Sequence, residues 1–498
     1  MSSAVLVLDC GATNVRAGIL DASGNILRYE SRPNHVLSQA ESPDWLVWDI
    51  DGIWRDLRAC AREAVAGLEG YTVDGIVVTT FSDDGAPLDA SHHLLYPVIS
   101  WQCSRTREIE PRLREAIDPY ELFSITGEQV MPQHTLLRLL WLREHAPEAM
   151  DGASHYLMTP GIINWRLTGV AANDPTTADS MLLTDLRARD YSDELLKRFG
   201  ISRSFFPEIV EPGTMIGQLL PSVASEIGLP AGIPVIAAGH DTQYAILGSG
   251  AKEGQAVLSS GTWELLFVRT RELSLGREDF QSGVKYEFDP VPGIYDRGIQ
   301  WVASGALEWL LGMLYGDCPD RKEAREKAVV EGYAIKPGCG LASFLPCLLP
   351  GTGIDPGLNA YGTLLGCTMH TTRGEIYKAM LEGLSFMARM GLDRLARSGA
   401  IRNELIVVGG GSKNKLWNQI RADVIGRDVI VPVQAETTLA GAAMCCLYGI
   451  GVYKSLEVAQ KAFSRDSVVY SPGRAAASYE EKFTKYKELA AKLHWYYN

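Results

Sequence analysis

The sequence predicts an α/β protein with two domains, and three observations support this. Segments typical of strands and of helices alternate along the chain. The length of 498 residues exceeds that of one average domain. A short polar turn between two apolar segments occurs at residues 9–13, and a similar turn occurs at residues 259–262. Because the two turns are too far apart for a solenoid repeat, they indicate a duplicated domain.

The composition is that of a globular protein with no sign of nucleic-acid binding. The chain has 47 Lys and Arg against 60 Asp and Glu, and this acidic balance without a basic block disfavours nucleic-acid partners. Its nine cysteines are odd in number and include no Cys-x-x-Cys pair, which favours a reducing compartment and argues against disulfides and zinc. We therefore expect a cytoplasmic protein with no contact to membranes, since no long apolar run occurs either.

Apolar spacing predicts the main elements of the first half. Strands are expected at residues 5–8, 15–20, 26–31 and 75–80. A helix is expected at about residues 53–68, where apolar side chains recur at helical spacing, with Asp51 as its N-cap. The glycine-rich stretch at residues 245–254 predicts a domain boundary, which gives domains of residues 1–245 and 246–498.

The second half repeats the pattern of the first. Strands are expected at residues 255–259 and 265–268, on either side of the second polar turn, and at residues 404–408. The last of these leads into a glycine-rich segment and then a helix at residues 416–424. A charged helix with one apolar face is expected at residues 478–495.

The first polar turn, at residues 9–14, suits phosphate binding. Backbone amides in such a turn can hold phosphate oxygens, and Gly11 lets the ligand approach closely. The carboxylate of Asp9 beside it suits Mg²⁺. An ordinary β-hairpin explains this turn equally well on its own. The second turn, at residues 259–262, repeats the logic with Gly261 and Thr262, and the pair is more specific than either turn alone.

The segment Gly409-Gly410-Gly411-Ser412 follows a predicted strand and precedes a predicted helix. Glycines there allow an anionic or flat group to approach a helix N-terminus. The segment is not a dinucleotide fingerprint, because Asn414 stands where that pattern needs glycine. We interpret it as a nucleotide loop of another kind, and a glycine turn that only packs a helix against a strand is the alternative.

Asp241 is the candidate catalytic base. It follows the apolar run at residues 233–238, and a carboxylate at a strand end near phosphate can accept a proton from a hydroxyl nucleophile. His240 is the alternative base, since its usual pKa suits the task. Two further loops carry Asp84, Trp101 and Arg105, which are residue types suited to a sugar-binding site. The alternative is that both loops are merely solvated and that Trp101 packs in the core.

Taken together, these stretches resemble the FGGY family of carbohydrate kinases, within the superfold of actin-like ATPases. Two more stretches match the family: residues 381–383 are similar to its Glu-Gly helix, and residues 436–443 to the helix after its adenosine segment. The resemblance covers nearly the whole chain, and six matches in the family's order are specific although each one alone is weak. Residues 82–84 depart from the family's usual Gly-Val-Asp.

The resemblance implies two ribonuclease-H-like domains around an interdomain cleft, with sugar bound by residues 1–245 and ATP by residues 246–498. It implies that Asp241 takes the proton of the attacking hydroxyl and that Mg²⁺ lies near Asp9. The sugar-binding residues it implies are Asp84, Trp101, Arg105, His240 and Gln243. The nucleotide-binding residues it implies are Gly11, Thr13, Asn14, Arg16, Gly261, Thr262, Gly409, Gly410, Gly411, Ser412 and Asn414.

Residues 258–264 and 300–305 are similar to the branch of the family that phosphorylates the C1 hydroxyl of L-fuculose, giving L-fuculose 1-phosphate and ADP. Where the family often has Trp-x-Asp-x-Arg, this chain has Cys103 in place of the carboxylate, which suits a 6-deoxy sugar. The alternatives are a kinase for L-rhamnulose, D-ribulose or xylulose, a nucleotide-dependent conformational protein and, more weakly, a dehydrogenase. The sequence leaves the oligomeric state open, with a homodimer as one option.

Overall fold

The computed structural model describes residues 2–337, 342–348, 361–434, 436–463 and 466–497. Its strands are β1 (Ser2–Cys10), β2 (Asn14–Asp21), β3 (Ile26–Pro33), β4 (Leu37–Gln39), β5 (Ser42–Trp48), β6 (Tyr71–Thr80), β7 (Gly85–Leu88), β8 (Val98–Ile99), β9 (His155–Met158), β10 (Thr184–Asp185), β11 (Asp190–Tyr191), β12 (Met215–Gln218), β13 (Pro234–Ile236), β14 (Ala256–Ser260), β15 (Trp263–Thr270), β16 (Lys285–Phe288), β17 (Tyr295–Val302), β18 (Ser343–Leu345), β19 (Thr363–Leu365), β20 (Glu404–Val408), β21 (Asp428–Pro432) and β22 (Ser467–Tyr470).

Its α-helices are α1 (Ile50–Ala66), α2 (Glu110–Ala116), α3 (Pro119–Thr126), α4 (Thr135–His145), α5 (Pro147–Asp151), α6 (Thr159–Thr168), α7 (Pro175–Ala178), α8 (Asp193–Arg198), α9 (Pro221–Ile227), α10 (Asp241–Gly248), α11 (Arg277–Gln281), α12 (Ser304–Leu314), α13 (Arg321–Ala334), α14 (Arg373–Leu395), α15 (Lys415–Ile425), α16 (Thr437–Gly449), α17 (Leu456–Ala462) and α18 (Ala476–Tyr497).

The chain forms two compact units. Unit 1 consists of Met1–Gly250, Tyr286–Tyr295 and Glu436–Ser464, and unit 2 consists of Ala251–Lys285, Asp296–Ala435 and Arg465–Asn498. The first segment of unit 1 ends close to the boundary expected near residue 245. However, two later segments also belong to unit 1, so neither unit is one continuous stretch of chain. Helices α16 and α17, which the sequence assigns to the second domain, pack in unit 1 because their apolar faces are buried there.

Unit 1 is built on a six-stranded sheet in the order β12-β13-β6-β1-β2-β3. Strands β1, β6 and β13 are parallel, whereas β2 and β3 follow β1 as an antiparallel meander. Strand β1 is buried on both faces, and its side chains alternate between two cores. Leu6 and Leu8 pack in the core that contains α1, while Val5 and Val7 pack in the core that contains α10 and α16.

Unit 2 repeats this topology. Its main sheet contains the strands β17-β15-β14-β20-β21-β22 in that order. Strand β14 pairs antiparallel with β15 and parallel with β20, which is parallel to β21. When five strands of each sheet are renumbered in chain order, both sets have the order 3-2-1-4-5. In unit 1 these strands are β3-β2-β1-β6-β13, and in unit 2 they are β17-β15-β14-β20-β21. The predicted duplicated α/β fold is therefore confirmed.

The predicted elements agree with the structure except near some of their ends. Strand β20 has the predicted bounds. Helix α1 begins three residues earlier than predicted, and Asp49, not Asp51, is its N-cap, because the Asp49 carboxylate accepts the Gly52 amide at 2.9 Å. The segment predicted as a glycine-rich boundary lies partly inside α10.

The cysteines of the described residues are all free thiols, and Cys339 lies outside those residues. Cys445 and Cys446 are buried in α16. In the part of the chain that the structure describes, no helix has the length and apolar character needed to span a bilayer.

Helices α10 and α16 pack backbone to backbone. A Cβ atom on Gly441 would overlap the carbonyl oxygen of Tyr244, and one on Gly248 would overlap that of Thr437. Glycine is required at these positions because of this close approach, not because of its conformational freedom. The contact holds α10, which begins at Asp241, against α16 within unit 1.

We expect Gly441→Ala to destabilise the protein by about 1–3 kcal/mol, because the new methyl group must push two helix backbones apart. The matched control is Gly276→Ala, where the nearest atom to a new Cβ, Ser274 Oγ, is 3.5 Å away. Urea unfolding of both variants measures the difference. Equal stability of the two variants would contradict the assigned packing.

Candidate active site

The candidate site of unit 1 lies where three parallel strands end. The carboxyl ends of β1, β6 and β13 share one edge of the sheet, which is where open α/β sheets bind ligands. The loop after β13 is fixed to this edge, because the carbonyl oxygen of Gly239 accepts the Thr80 amide at 2.9 Å and the Thr79 hydroxyl at 2.8 Å. The loop after β6 is fixed through Phe81, whose amide donates to the Cys10 carbonyl at 3.2 Å.

Asp9 is a buried carboxylate near the end of β1. Its side chain projects to the same face as Val5 and Val7, because side chains alternate along a strand. Its Oδ2 atom lies 3.5 Å from Arg16 Nη1, whereas its buried Oδ1 atom has no hydrogen-bond partner in the described part of the chain. Burial raises the pKa of Asp9 to about 6, against the opposing effect of the Arg16 charge. Arg16 also donates to Glu436 at 2.9 Å.

Asp241 is the first residue of α10, two residues after Gly239. Its side chain is 30% exposed, so it is accessible from solvent. The partial removal of the Asp241 carboxyl group from water raises its pKa to about 7, and the charge of Asp9 adds to this increase. Asp9 and Asp241 are therefore close enough for their charges to influence one another.

His240 and Gln243 lie close to Asp241 in the sequence. Both approach the carboxylate of Glu287, which the sequence did not reveal. His240 Nε2 lies 3.6 Å from Asp241 Oδ1, and its Nδ1 lies 3.9 Å from Glu287 Oε2. Gln243 is fully buried, and its amide nitrogen donates to the same Glu287 oxygen. Glu287 belongs to the short segment Tyr286–Tyr295, which sequence patterns had given no role.

Asp84 differs from its predicted role as a sugar contact. It is fully buried, and its Oδ1 lies 2.7 Å from Arg138 Nη1, which is equally buried. Its Oδ2 accepts hydrogen bonds from Trp48 Nε1 at 2.5 Å and from the Trp101 amide at 3.1 Å. Burial raises the pKa of Asp84, although Arg138 opposes the shift. These contacts give Asp84 a role in holding the loops together.

The neighbouring Asp83 differs from Asp84 in its backbone conformation and in its exposure. Its φ angle is +69°, a left-handed conformation that is strained for a non-glycine residue. Its carbonyl oxygen accepts a hydrogen bond from Thr135 Oγ1 at 2.9 Å and another from Arg138, and these contacts hold the strained backbone. Its side chain is 20% exposed, unlike that of Asp84.

Arg105 is buried, and Trp101 is partly buried. The Arg105 guanidinium lies 4.8 Å from the ring centre of Trp45 and 5.1 Å from that of Trp141. Its nitrogens donate to Gln39, Cys103 and Tyr96. The geometry therefore favours an anchoring role for Arg105 over the predicted sugar contact. Trp101 packs, partly buried, against the core that contains α1.

The two polar turns have matching internal hydrogen bonds. The Gly11 amide donates to the Asn14 carbonyl at 3.0 Å, and the Gly261 amide donates to the Trp263 carbonyl at 2.9 Å. These two amides are thus engaged within their own turns. Thr13 and Thr262 are exposed at the tips of the turns, and Asn14 Nδ2 bonds Thr13 Oγ1 at 3.3 Å.

The glycine loop of unit 2, defined here as residues 409–412, packs against β14. Gly409 has φ +82°, and a Cβ there would lie 2.8 Å from the Ser260 carbonyl oxygen. No atom of the described residues lies within 4 Å of the Cβ position of Gly410. Ser412 Oγ donates to the Gly409 carbonyl at 2.7 Å. The loop opens a short 3₁₀ turn, Gly410–Lys413, and Asn414 caps α15 by accepting the Trp417 amide at 3.1 Å.

Within the described ranges, no group of three or more His, Cys, Asp and Glu side chains is arranged to hold a metal ion. Asp9 nonetheless offers a buried carboxylate oxygen without a partner. Mg²⁺ commonly takes only one or two carboxylates and completes its shell with water and substrate phosphates. The residues present therefore fit Mg²⁺ that arrives with a phosphate ligand.

The fold and this edge of carboxylates define a phosphotransferase of the two-domain α/β class, and comparison with known proteins identifies its family. The family model described as "FGGY family of carbohydrate kinases, N-terminal domain" matches residues 4–248, and the corresponding C-terminal model matches residues 256–450. The chain belongs to the FGGY family of carbohydrate kinases.

Among curated proteins, the chain is similar to L-fuculokinases. The L-fuculokinase of Salmonella typhi is 41% identical over 460 residues, which are 92% of this chain and 94% of that protein. The L-fuculokinase of Haemophilus influenzae is 36% identical over 464 residues, 92% of this chain and 97% of that protein. The crystal structure of xylulose kinase from Rhodospirillum rubrum has the same fold, with a TM-score of 0.88, 24% identity and 99% of both chains covered.

We expect Asp84→Ala to destabilise the protein by about 3–5 kcal/mol, because it leaves the buried Arg138 charge without its partner. Asp83→Asn is the matched control and should change the free energy of unfolding by less than about 1 kcal/mol, because the Asp83 side chain is 20% exposed and its distance to the His134 imidazole is 3.9 Å, so that an isosteric amide disturbs little. Denaturant unfolding of the two variants measures both values. An Asp84→Ala protein as stable as Asp83→Asn would contradict the anchoring role.

Proposed function

We propose that this protein transfers the γ-phosphate of ATP to the C1 hydroxyl of L-fuculose, giving L-fuculose 1-phosphate and ADP. The observation that carries the proposal is the accessible carboxylate of Asp241, held at the strand edge beside the buried carboxylate of Asp9. The sugar is proposed because L-fuculokinases match almost the full length of the chain at 36–41% identity.

In the proposed reaction, Asp241 accepts the proton of the C1 hydroxyl as that oxygen attacks the γ-phosphorus. A new bond forms between the sugar oxygen and phosphorus, the bond between phosphorus and the bridging oxygen breaks, and ADP leaves. Asp241 is preferred to His240 as the base because His240 is less exposed and lies against both Asp241 and Glu287. A carboxylate whose pKa is near neutrality is well suited to this transfer.

ATP is assigned to the two polar turns and to the glycine loop. In unit 1, the turn at Gly11, Thr13 and Asn14 would contact phosphate, with Arg16 held beside it by Glu436. In unit 2, Thr262 would contact phosphate, and the open space at Gly410 would take the adenosine. Asp9 would hold Mg²⁺, which supplies charge neutralisation on the phosphates when bound.

The sugar is assigned to the loop after β6 and the start of α10. Asp83 replaces Asp84 as the proposed acidic contact, because its side chain is partly exposed and its strained backbone is held in place. Gln243 keeps its proposed role, since its buried Oε1 atom has no hydrogen-bond partner among the residues that the structure describes. We also propose a cytoplasmic location, which the free thiols of the described cysteines support and where ATP is abundant.

A coupled assay of ADP release over a panel of sugars tests the proposed substrate. The panel contains L-fuculose, L-rhamnulose, D-ribulose, L-xylulose and D-xylulose, with a no-sugar control. We expect L-fuculose to give the highest kcat/KM. A higher value for another ketose would replace the substrate within the same kinase chemistry, and ADP release that no sugar stimulates would leave a nucleotide-dependent conformational protein instead.

We expect Asp241→Asn to lower kcat by about 10²–10⁴-fold, because the amide cannot accept the hydroxyl proton. Binding of ADP, followed by isothermal titration calorimetry, should change by less than twofold because the variant is isosteric. The matched control is His240→Gln, which should retain far more activity. Turnover that survives Asp241→Asn and is lost in His240→Gln would transfer the base role to His240.

We expect Gly410→Val to raise the KM for ATP by about tenfold or more, since its side chain would fill the space assigned to adenosine. The KM for the sugar should stay within about twofold. Gly410→Ala is the control and should fold normally, because its Cβ meets no atom within 4 Å. A larger effect on the KM for the sugar than on that for ATP would refute the adenosine assignment.

A further inference from the structure

Unit 2 contains a fully buried ion pair between its second polar turn and its glycine loop. Glu264 lies on β15 and Arg421 on α15, and both side chains are 0% exposed. Arg421 donates to Glu264 Oε1, and Trp301 Nε1 donates to Glu264 Oε2 at 2.9 Å. The Arg421 guanidinium also stacks on the Trp417 ring, 3.7 Å from its centre. Each charged group therefore makes several contacts despite its burial.

The hydroxyl of Ser260 joins this pair to the polar turn. Ser260 is the last residue of β14 and directly precedes Gly261 and Thr262. Its hydroxyl donates to Glu264 Oε1 at 2.9 Å and accepts a hydrogen bond from Arg421 Nη2 at 2.8 Å. The residue at the start of the turn is thus held by both members of the ion pair.

Arg421 is connected to the glycine loop as well. Its Nη1 atom donates to Asn418 Oδ1 at 3.0 Å, and Asn418 Nδ2 donates to the Ser412 carbonyl oxygen at 2.7 Å. The loop also packs directly on Ser260, because a Cβ atom on Gly411 would overlap the Ser260 hydroxyl. A single buried network therefore connects two segments about 150 residues apart in the chain.

We infer that Arg421 and Glu264 are positioning residues that hold the second polar turn and the glycine loop as one preorganised nucleotide-binding unit. The inference rests on the proposed function, because it takes both segments to contact ATP. Neither side chain reaches the nucleotide itself, since both are fully buried. Buried ion pairs often contribute little net stability compared with apolar replacements. The role of this pair is instead to fix the second polar turn and the glycine loop in position relative to each other.

The test measures ADP binding by calorimetry in three variants, Glu264→Gln, Arg421→Lys and Ser260→Ala, and KM values in a coupled assay. We expect the Kd for ADP and the KM for ATP to rise by about tenfold in the first two variants, with the KM for the sugar within twofold. Ser260→Ala should raise the Kd for ADP and the KM for ATP by a smaller factor. This variant still tests the inference if the two ion-pair variants do not fold.

Arg297→Met is the matched control, because Arg297 is also buried in unit 2 but donates to the carbonyl oxygens of Leu395 and Ser398. It should lower the Tm without changing the Kd for ADP. Folded ion-pair variants whose Kd for ADP matches that of the wild type would overturn the inference, even if their Tm falls. Because calorimetry with ADP needs no sugar, an incorrect sugar assignment does not affect this outcome, whereas a wild-type protein that binds no ADP would overturn both proposals.

Discussion

The candidate site depends on the position of one carbonyl group, that of Gly239. Its oxygen accepts hydrogen bonds from the Thr79 hydroxyl and the Thr80 amide, and a Cβ atom at this residue would overlap the Asp174 carboxylate. The loop is therefore fixed on both sides, and only glycine fits. Two residues later, Asp241 begins α10 on the face of the sheet towards which Asp9 projects. The backbone-to-backbone packing of α10 on α16 then holds the helix in place.

The sequence alone could predict the parts of this arrangement that depend on local pattern. Short apolar runs that end in polar or glycine-rich turns identified β1 and β20 and placed Asp9, Asp241 and the glycine loop at strand ends. The duplicated topology followed from two similar turns. These features could be predicted because a strand and the turn after it are encoded within about ten residues.

The remaining features depend on contacts between distant segments. Glu287 and Glu436 reach unit 1 from later parts of the chain, so no local pattern indicates their proximity to His240 and Arg16. Adjacent Asp83 and Asp84 have the same side chain, and only the buried Arg138 and the left-handed backbone of Asp83 separate an anchoring role from a proposed binding role. Likewise, the internal hydrogen bonds of Gly11 and Gly261 follow from the tightness of each turn and not from the presence of glycine.

The pH dependence of turnover tests the central claim, that Asp241 is the proton acceptor. With both substrates below their KM values, the rate reports the protonation state of the free protein. Because the pKa of Asp241 is raised to about 7 and only the ionised carboxylate can accept a proton, kcat/KM should fall about tenfold per pH unit below that value and level off above it. The residual activity of Asp241→Asn should lack this acidic limb. The same limb in Asp241→Asn, or a flat profile in the wild-type protein across this range, would contradict the account.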